Sequence, residues 1–353
     1  MGRGVGRGAG RDVGRGVDRR DAGGGQVQAG RRTRGRWFRA LLAALVMAAL
    51  VVPLAAATRP RVPAPAPADL GRITAATLGA AYAANRANAA EAARMAEDHG
   101  DRHRAAMERA MARDPARQFL AFDGRGPGLA TEVFGDLAGA DRIAVLIPGS
   151  DTTLDTYARF RATAVSLHRH LAARHPRTAV IAWLGYETPG TVGTAVMTTT
   201  RAQEAAPELA ESVAALYGIA GRDTEISLLC HSYGSVVCAR AAPALEAEGL
   251  PVADLVLLGS PGTGVDRASD LRTSARVWAG RGARDWIADV PHARADLLGT
   301  TVGFGTDPMS PAYGARRFAA GSAGHGGYFA PGSESLANLA RIVLGETAEV
   351  SHD

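Results

Sequence analysis

Short apolar runs alternate with longer amphipathic stretches from about residue 130 to the end of the chain. The runs Arg142-Ile-Ala-Val-Leu-Ile-Pro148, Ala179–Leu184, Ile226–Cys230, Ala253–Leu258 and Ala275–Ala279 are almost wholly apolar. Such runs suit strands buried on both faces. A weaker candidate, Thr131–Leu137, precedes them. Between and after the strands, the spacing predicts helices over Leu154–His175, over Arg201–Tyr217 (broken or started near Pro207), after Gly234, and over Glu334–Leu344. Strand and helix in alternation predict an α/β domain over residues 116–346, a mostly parallel sheet covered by helices on both faces. Sites in such sheets lie at the carboxyl ends of the strands. No internal repeat is visible.

Ahead of this domain the pattern is purely helical. Asp69 can cap a helix running to about Asp98, with Leu70, Ile73, Thr77, Leu78 and Ala81 as a modest apolar stripe. His99-Gly100-Asp101 breaks it, and a second helix, Arg102–Arg113, ends before Pro115. This hairpin, residues 69–115, reads as a lid, brace or packing arm. His99 and His103 are four apart, but no further ligand lies nearby, so they read as solvated residues rather than a metal pair.

The remaining ends are of other kinds. Residues 1–36 are low-complexity Gly and Arg, unable to bury a core and expected to be disordered. Trp37–Ala57 is apolar past Arg39, rich in Ala and Leu, and ends in three alanines. Basic, then apolar, then small residues is the layout of a secretory signal. The segment also has the length of a membrane span with its basic flank inside, so a cleaved signal peptide and a retained transmembrane anchor both remain open. Either places the folded part outside the cytoplasm, secreted or anchored. Residues 58–68 form a Pro/Ala/Arg linker, and 347–353 a short tail.

Charge follows the same division. The 353 residues carry a formal net charge of +5, and every basic residue is Arg. Residues 1–39 hold eleven Arg against three Asp, so the rest of the chain is slightly acidic. With its basic excess confined to the tail, the folded part lacks the electrostatic footprint of a nucleic-acid partner.

The chemistry centres on Cys230-His231-Ser232-Tyr233-Gly234, between the Ile226–Cys230 strand and the helix after Gly234. Small-x-Ser-x-Gly at a strand-to-helix junction is the nucleophile elbow. The turn lifts the serine hydroxyl off the sheet edge and aims a helix N-terminus at it. Cys230 stands where Gly is more usual and is small enough. A hydrolase built this way needs Ser, then an acid, then His in chain order. Asp285, after the Ala275–Ala279 strand, is the first candidate acid. Asp266, after the preceding strand, is the alternative, and Asp289 and Asp307 are weaker. His325, set among glycines in Ala320-Gly-Ser-Ala-Gly-His-Gly-Gly-Tyr328 just before the closing helix, is the candidate base. His231 adjoins Ser232, but neighbouring side chains diverge at a tight elbow, so it reads as a packing residue. His292 and His352 lack a suitable setting. For the oxyanion, the expected N–H donors are Tyr233 and a residue of Gly149-Ser150-Asp151, with Ser150 favoured over Asp151.

With these residues in place, the chain resembles a family of exported bacterial alpha/beta hydrolases of unassigned substrate, over roughly Asp69–Leu344. The resemblance rests on Leu120-Ala-Phe-Asp123, Ala144-Val-Leu-Ile-Pro-Gly149, Ala182-Trp-Leu-Gly-Tyr-Glu-Thr-Pro189, His231-Ser-Tyr-Gly-Ser235, Gly259-Ser-Pro-Gly262, Asp285-Trp-Ile287, and Gly324-His325 with Tyr328. It implies the alpha/beta-hydrolase fold and the Ser232, Asp285, His325 triad, without a substrate. The expected activity is hydrolysis of a carboxylic ester, small or lipid, through an acyl-enzyme (an esterase- or lipase-like serine hydrolase). The alternative is a catalytically silent copy of the fold serving as a binding module at the cell surface. A nucleotide-binding reading fails, because no Gly-x-Gly-x-x-Gly follows the first strand. No metal-ligand cluster is visible in the sequence, so no cofactor is expected.

Two further features admit two readings each. Cys230 and Cys238 flank the elbow. A bridge between them is geometrically feasible in an exported protein, but two buried free thiols are the commoner outcome in a core. Trp183-Leu184-Gly185-Tyr186-Glu187 follows a strand and either lines the pocket mouth or packs as an aromatic pair.

Overall fold

The computed structural model describes residues 62–191, 198–290, 292, 294–297 and 300–352. The Gly/Arg tail, the 37–57 segment and the start of the Pro-rich linker lie outside these residues. Among the described residues no helix is long and apolar enough to cross a membrane.

Two helices lead, α1 (Leu78–Asp98) and α2 (Arg102–Arg113), followed by strands β1 (Gln118–Asp123), β2 (Leu129–Phe134) and β3 (Arg142–Ile147). Then come α3 (Tyr157–Ala172), β4 (Thr178–Leu184), α4 (Thr200–Ala220), β5 (Glu225–His231), α5 (Gly234–Ala247), β6 (Asp254–Leu258) and β7 (Arg276–Gly280). The chain closes with β8 (Arg294–Leu297), β9 (Thr300–Gly303), β10 (Arg316–Arg317) and α6 (Glu334–Val343). Eight strands form one sheet in the order β1-β2-β4-β3-β5-β6-β7-β10, and β8 and β9 pair separately. Only β2 runs against the rest of the large sheet. This is the alpha/beta-hydrolase fold.

Strand alternation distributes the core between two layers. Ile143, Val145, Ile147, Leu228 and Cys230 face α4 and α5, packing with Leu209, Val213, Leu216 and Val237. Ala144, Leu146 and Leu229 face the other way, onto Leu167 and Leu171 of α3 and Leu339 and Val343 of α6. Every central strand is therefore buried on both sides, which is why each reads as a continuous apolar run.

Three expectations about elements need correction. The first helix begins at Leu78 rather than at Asp69. Gly71 sits at φ 54°, and Thr74 and Thr77 exchange side-chain and backbone hydrogen bonds that open a single 3₁₀ turn before α1. Pro207 neither starts nor breaks α4. It is exposed, while Ala202, Ala205, Leu209, Val213 and Leu216 make a buried stripe running past it, and that packing outweighs one lost hydrogen bond. Cys230 and Cys238 form a disulfide, where free thiols were the commoner expectation. The elbow folds α5 back along β5 and brings the two Cα atoms to 6.4 Å, within bridging range.

The helical pair braces the sheet. Asn85 of α1 donates to the Phe119 carbonyl of β1 at 2.8 Å. From α2, the buried Arg104 forks onto Asp155 at 2.8 and 2.9 Å and donates to the carbonyls of Gly124, Gly126 and Pro127. His103 contacts the Asp155 carbonyl at 3.0 Å, so it serves the same joint.

Beside Arg104 lies Glu108, fully buried, with neither carboxylate oxygen hydrogen-bonded among the described residues. Burial pushes its carboxyl from the usual 4.5 up to about 7; Arg104 at 3.9 Å opposes this, and Asp155 and Asp101 add to it. Between these two values the folded chain holds a proton that the unfolded chain has released, so this group's contribution to stability falls as pH rises. Glu108→Gln is therefore expected to stabilise the protein at pH 8 by about 3 kcal/mol at most. At pH 4 it should gain nothing. Urea unfolding at the two pH values checks this, and an equal effect at both would rule it out.

Candidate active site

The carboxyl ends of β3, β5, β6 and β7 supply the loops that meet at Ser232. Ser232 follows β5 at φ 54°, a left-handed conformation costly for a residue with a Cβ. Its backbone N–H donates to the Leu258 carbonyl at 2.8 Å, and Ser235 N–H returns to the Ser232 carbonyl at 2.9 Å as α5 begins. The strained turn is thus held from both sides. Gly234 is obligatory, because a Cβ there would stand 2.6 and 2.7 Å from the Ile147 and Pro148 carbonyl oxygens.

Ser232 Oγ lies 3.0 Å from His325 Nε2, and His325 Nδ1 lies 2.9 Å from Asp285 Oδ1. The carboxylate can only accept from Nδ1–H, which leaves Nε2 to accept from the hydroxyl. Asp285 is buried and further held by the Ile287 N–H at 2.9 Å and by the Tyr328 hydroxyl on its other oxygen. Burial pushes the Asp285 carboxyl up, but the hydrogen bonds from His325, Tyr328 and Ile287 outweigh it and hold the group below the usual carboxylate range. Tyr328 is driven well up by burial and by that same carboxylate, so it stays a donor.

The acid and histidine loops are laced together. Ala283 and Arg284 N–H donate to the carbonyls of Gly321 and Ala323, and the Arg284 guanidinium to that of Ser322. His231 reaches the same loop from below. It donates from Nε2 to the His325 carbonyl at 2.6 Å, its ring 4.7 Å from that of His325. Burial and the facing His325 lower His231 to about 4, so it is a neutral donor at physiological pH. It makes no contact of this kind with Ser232, in keeping with the expectation that it packs.

The remaining candidates are placed as follows. Asp266 is exposed and accepts a long hydrogen bond from Thr306; it does not meet His325. Asp289 is exposed, and Asp307 pairs with Arg281 at 2.7 Å. His292 lies 3.7 Å from Asp307, and His352 contacts the Arg317 carbonyl. Of the β3 loop, Gly149 passes so close that a Cβ there would be 2.6 Å from Ser232 Cβ. Asp151 N–H is already donated to the Pro189 carbonyl at 3.0 Å. Trp183 and Tyr186 stack at 5.9 Å and are buried, so they form a packed pair rather than a pocket mouth. Tyr186 still serves the site, since its hydroxyl pins the Pro148 carbonyl at 2.7 Å.

Two contributors escaped sequence reasoning. Gly259, at φ 51°, abuts the acid so closely that a Cβ would fall 2.5 Å from Asp285 Oδ2, 2.9 Å from the Tyr328 hydroxyl and 3.2 Å from His325 Nδ1. Trp286 is the one exposed large apolar side chain among the described residues, at 49%, with its ring 4.6 Å from that of His325. Gly259-Ser-Pro-Gly262 and Asp285-Trp-Ile287 are among the runs that carry the family resemblance, but nothing in them marks Gly259 as abutting the acid or Trp286 as packing on His325. Around Ser232 opens a cavity of about 770 Å³, and no described residue of α1 or α2 lines it.

Residues 123–295 match the family model described as alpha/beta hydrolase. This segment is similar to the alpha/beta hydrolase family. The match takes in Ser232 and Asp285 and stops short of His325. An uncharacterized protein of Mycobacterium tuberculosis is 30% identical over 266 residues, which is 66% of this chain and 39% of that protein. One of Mycobacterium bovis is 33% identical over 155 residues, 40% of this chain and 56% of the relative. The aligned part thus spans about two fifths of the length of the first of these relatives. Among solved structures, the fold is similar to carboxyl esterase 2 of the fungus Tuber melanosporum. That similarity has a TM-score of 0.40 and 11% identity, covering 66% of this chain and 86% of the esterase.

Proposed function

We propose that this protein of the alpha/beta-hydrolase fold is a serine hydrolase that cleaves carboxylic esters through an acyl-enzyme. The observation that carries the reading is the unbroken hydrogen-bonded array Ser232–His325–Asp285, with its serine on a strained elbow facing a large cavity. As His325 Nε2 takes the hydroxyl proton, Ser232 Oγ bonds to the ester carbon and the carbonyl oxygen becomes an oxyanion. Asp285 stabilises the imidazolium. Collapse of the tetrahedral species breaks the ester bond, and the leaving alcohol takes the proton from His325. A water then repeats the sequence on the acyl-enzyme, releasing the acid and restoring Ser232. We assign the oxyanion to the backbone N–H groups of Tyr233 and Ser150. Ser150 is preferred because Asp151 N–H is already bonded.

We also read the protein as exported, secreted or held at the membrane by residues 37–57. The Cys230–Cys238 bridge supports this, since such bonds persist in oxidising compartments. A fluorophosphonate probe on the full chain tests the catalytic reading. The adduct should map to Ser232 by peptide mass analysis. A folded chain that takes no label, or takes it elsewhere, would favour the silent binding module.

Gly259→Ala provides an independent check on the array. Its new methyl must displace the Asp285 carboxylate or the Tyr328 hydroxyl, and a displacement near 1 Å costs about 10²-fold. Steady-state turnover of a chromogenic ester should show that loss; turnover within a factor of three of the parent would mean the array tolerates the shift.

A further inference from the structure

Given the serine-hydrolase reading, on which this inference rests, we propose that the ester cleaved carries a long apolar chain, of about eight carbons or more, held in the cavity beside Ser232. Size is the first ground. The cavity of about 770 Å³ has room for roughly 25 water-sized groups, whereas an acetyl group supplies three heavy atoms. The walls are the second. One is the face of α3 and its lead-in turn that bears Thr156, Phe160 and Thr163, spaced at helical intervals, with Phe329 beside it. Another part of the lining is the acid loop, with Ile287 and Val290.

Charge is the third ground. Among the described lining residues the ionised side chains outside the array are Asp151 and Arg159. Both are exposed, and the Asp151 carboxylate is already bonded by Thr191. A sugar or a charged peptide would find few buried partners for its polar groups, and leaving these unpaired is costly. Trp286 supplies the fourth. An indole half exposed at the cavity edge, against His325, gives an incoming apolar chain its first contact before the chain leaves water.

The test is a series of p-nitrophenyl esters from acetate to dodecanoate, all below their micellar concentrations. Each methylene fully removed from water is worth about fourfold, so six methylenes at half burial should raise kcat/KM about sixty-fold from acetate to octanoate. Thr163→Phe and Val290→Trp each add bulk to one wall. At least one should lower the octanoate-to-acetate ratio about tenfold or more, with folding checked by circular dichroism. Rates flat or falling beyond acetate would overturn the proposal, as would a ratio unmoved by both folded variants. Fluorophosphonate labelling of Ser232 in the same samples separates the two levels. Labelling with a flat series rejects the chain-binding proposal alone, and no labelling with no turnover rejects the hydrolase reading with it.

Discussion

Ser232→Ala is expected to lower ester turnover by about 10⁶-fold, close to the effect of losing a whole triad. The size follows from how completely the site depends on one oxygen. His325 Nε2 has Ser232 Oγ as its hydrogen-bond partner at 3.0 Å, and without it the imidazole has no nucleophile to activate. The oxyanion donors and the cavity would survive, so about 10³-fold acceleration over water should remain. Folding should survive too. The φ of 54° strains Ser and Ala alike, and the main-chain bonds to Leu258 and Ser235 do not involve the hydroxyl. Ser232→Gly makes the companion variant. It should be equally inactive yet more stable than the alanine variant by about 1 kcal/mol, because glycine accepts a left-handed conformation without the Cβ clash. Thermal melts of both, beside turnover of an octanoate ester, check the pair. An alanine variant within tenfold of the parent would place the nucleophile elsewhere.

The centre of the molecule was legible because local pattern and tertiary burial agree there. Ile226–Cys230 and Ile143–Ile147 are covered on both faces, so apart from Ser227 nothing polar interrupts them, and the elbow between β5 and α5 needs small residues on steric grounds alone. The margins were not legible. Strand β1 has its two buried residues, Phe119 and Phe122, three apart, with a register shift against β2 between Phe119 and Ala121, so its six residues lack the period-two pattern that would announce a strand. Strand β10 has two residues and exists through its pairing with Trp278 and Ala279. Pairing of the cysteines was undecidable from a spacing of eight, since only the sharpness of the elbow brings strand end and helix turn together. In the site, residue types and chain order identified Ser232, Asp285 and His325 as partners in one array. What they could not convey was support. That Gly259 must lack a Cβ, that Tyr328 steadies the carboxylate and that His231 steadies the His325 backbone are facts of contact between segments 26 to 94 residues apart.

Replacing Asp285 by Asn should cost about 10⁴-fold in kcat, while Asp266→Asn should stay within about twofold, and the contrast discriminates the two leading candidate acids of the sequence. The environment of Asp285 explains why so small a change is so damaging. Its two oxygens accept from His325 Nδ1, the Ile287 N–H and the Tyr328 hydroxyl. An amide can keep two of those acceptor roles on one oxygen and turn its NH₂ toward Tyr328, whose oxygen can accept instead, so the fold has no reason to fail. The negative charge opposite the imidazolium is then gone from a buried site where little solvent can replace it. In the other orientation the NH₂ faces Nδ1 and forces the proton onto Nε2, the atom that must accept from Ser232. The first arrangement weakens the base and the second removes it, and both leave the cavity intact, so the loss should fall on kcat with KM little changed. Asp266 sits exposed beside Thr306, away from His325, and its substitution touches none of these contacts. Steady-state kinetics of both variants, with melts to confirm folding, decide the assignment. A crippled Asp266→Asn beside a healthy Asp285→Asn would move the acid to the loop after β6 and leave the 2.9 Å contact of His325 with Asp285 without a catalytic role.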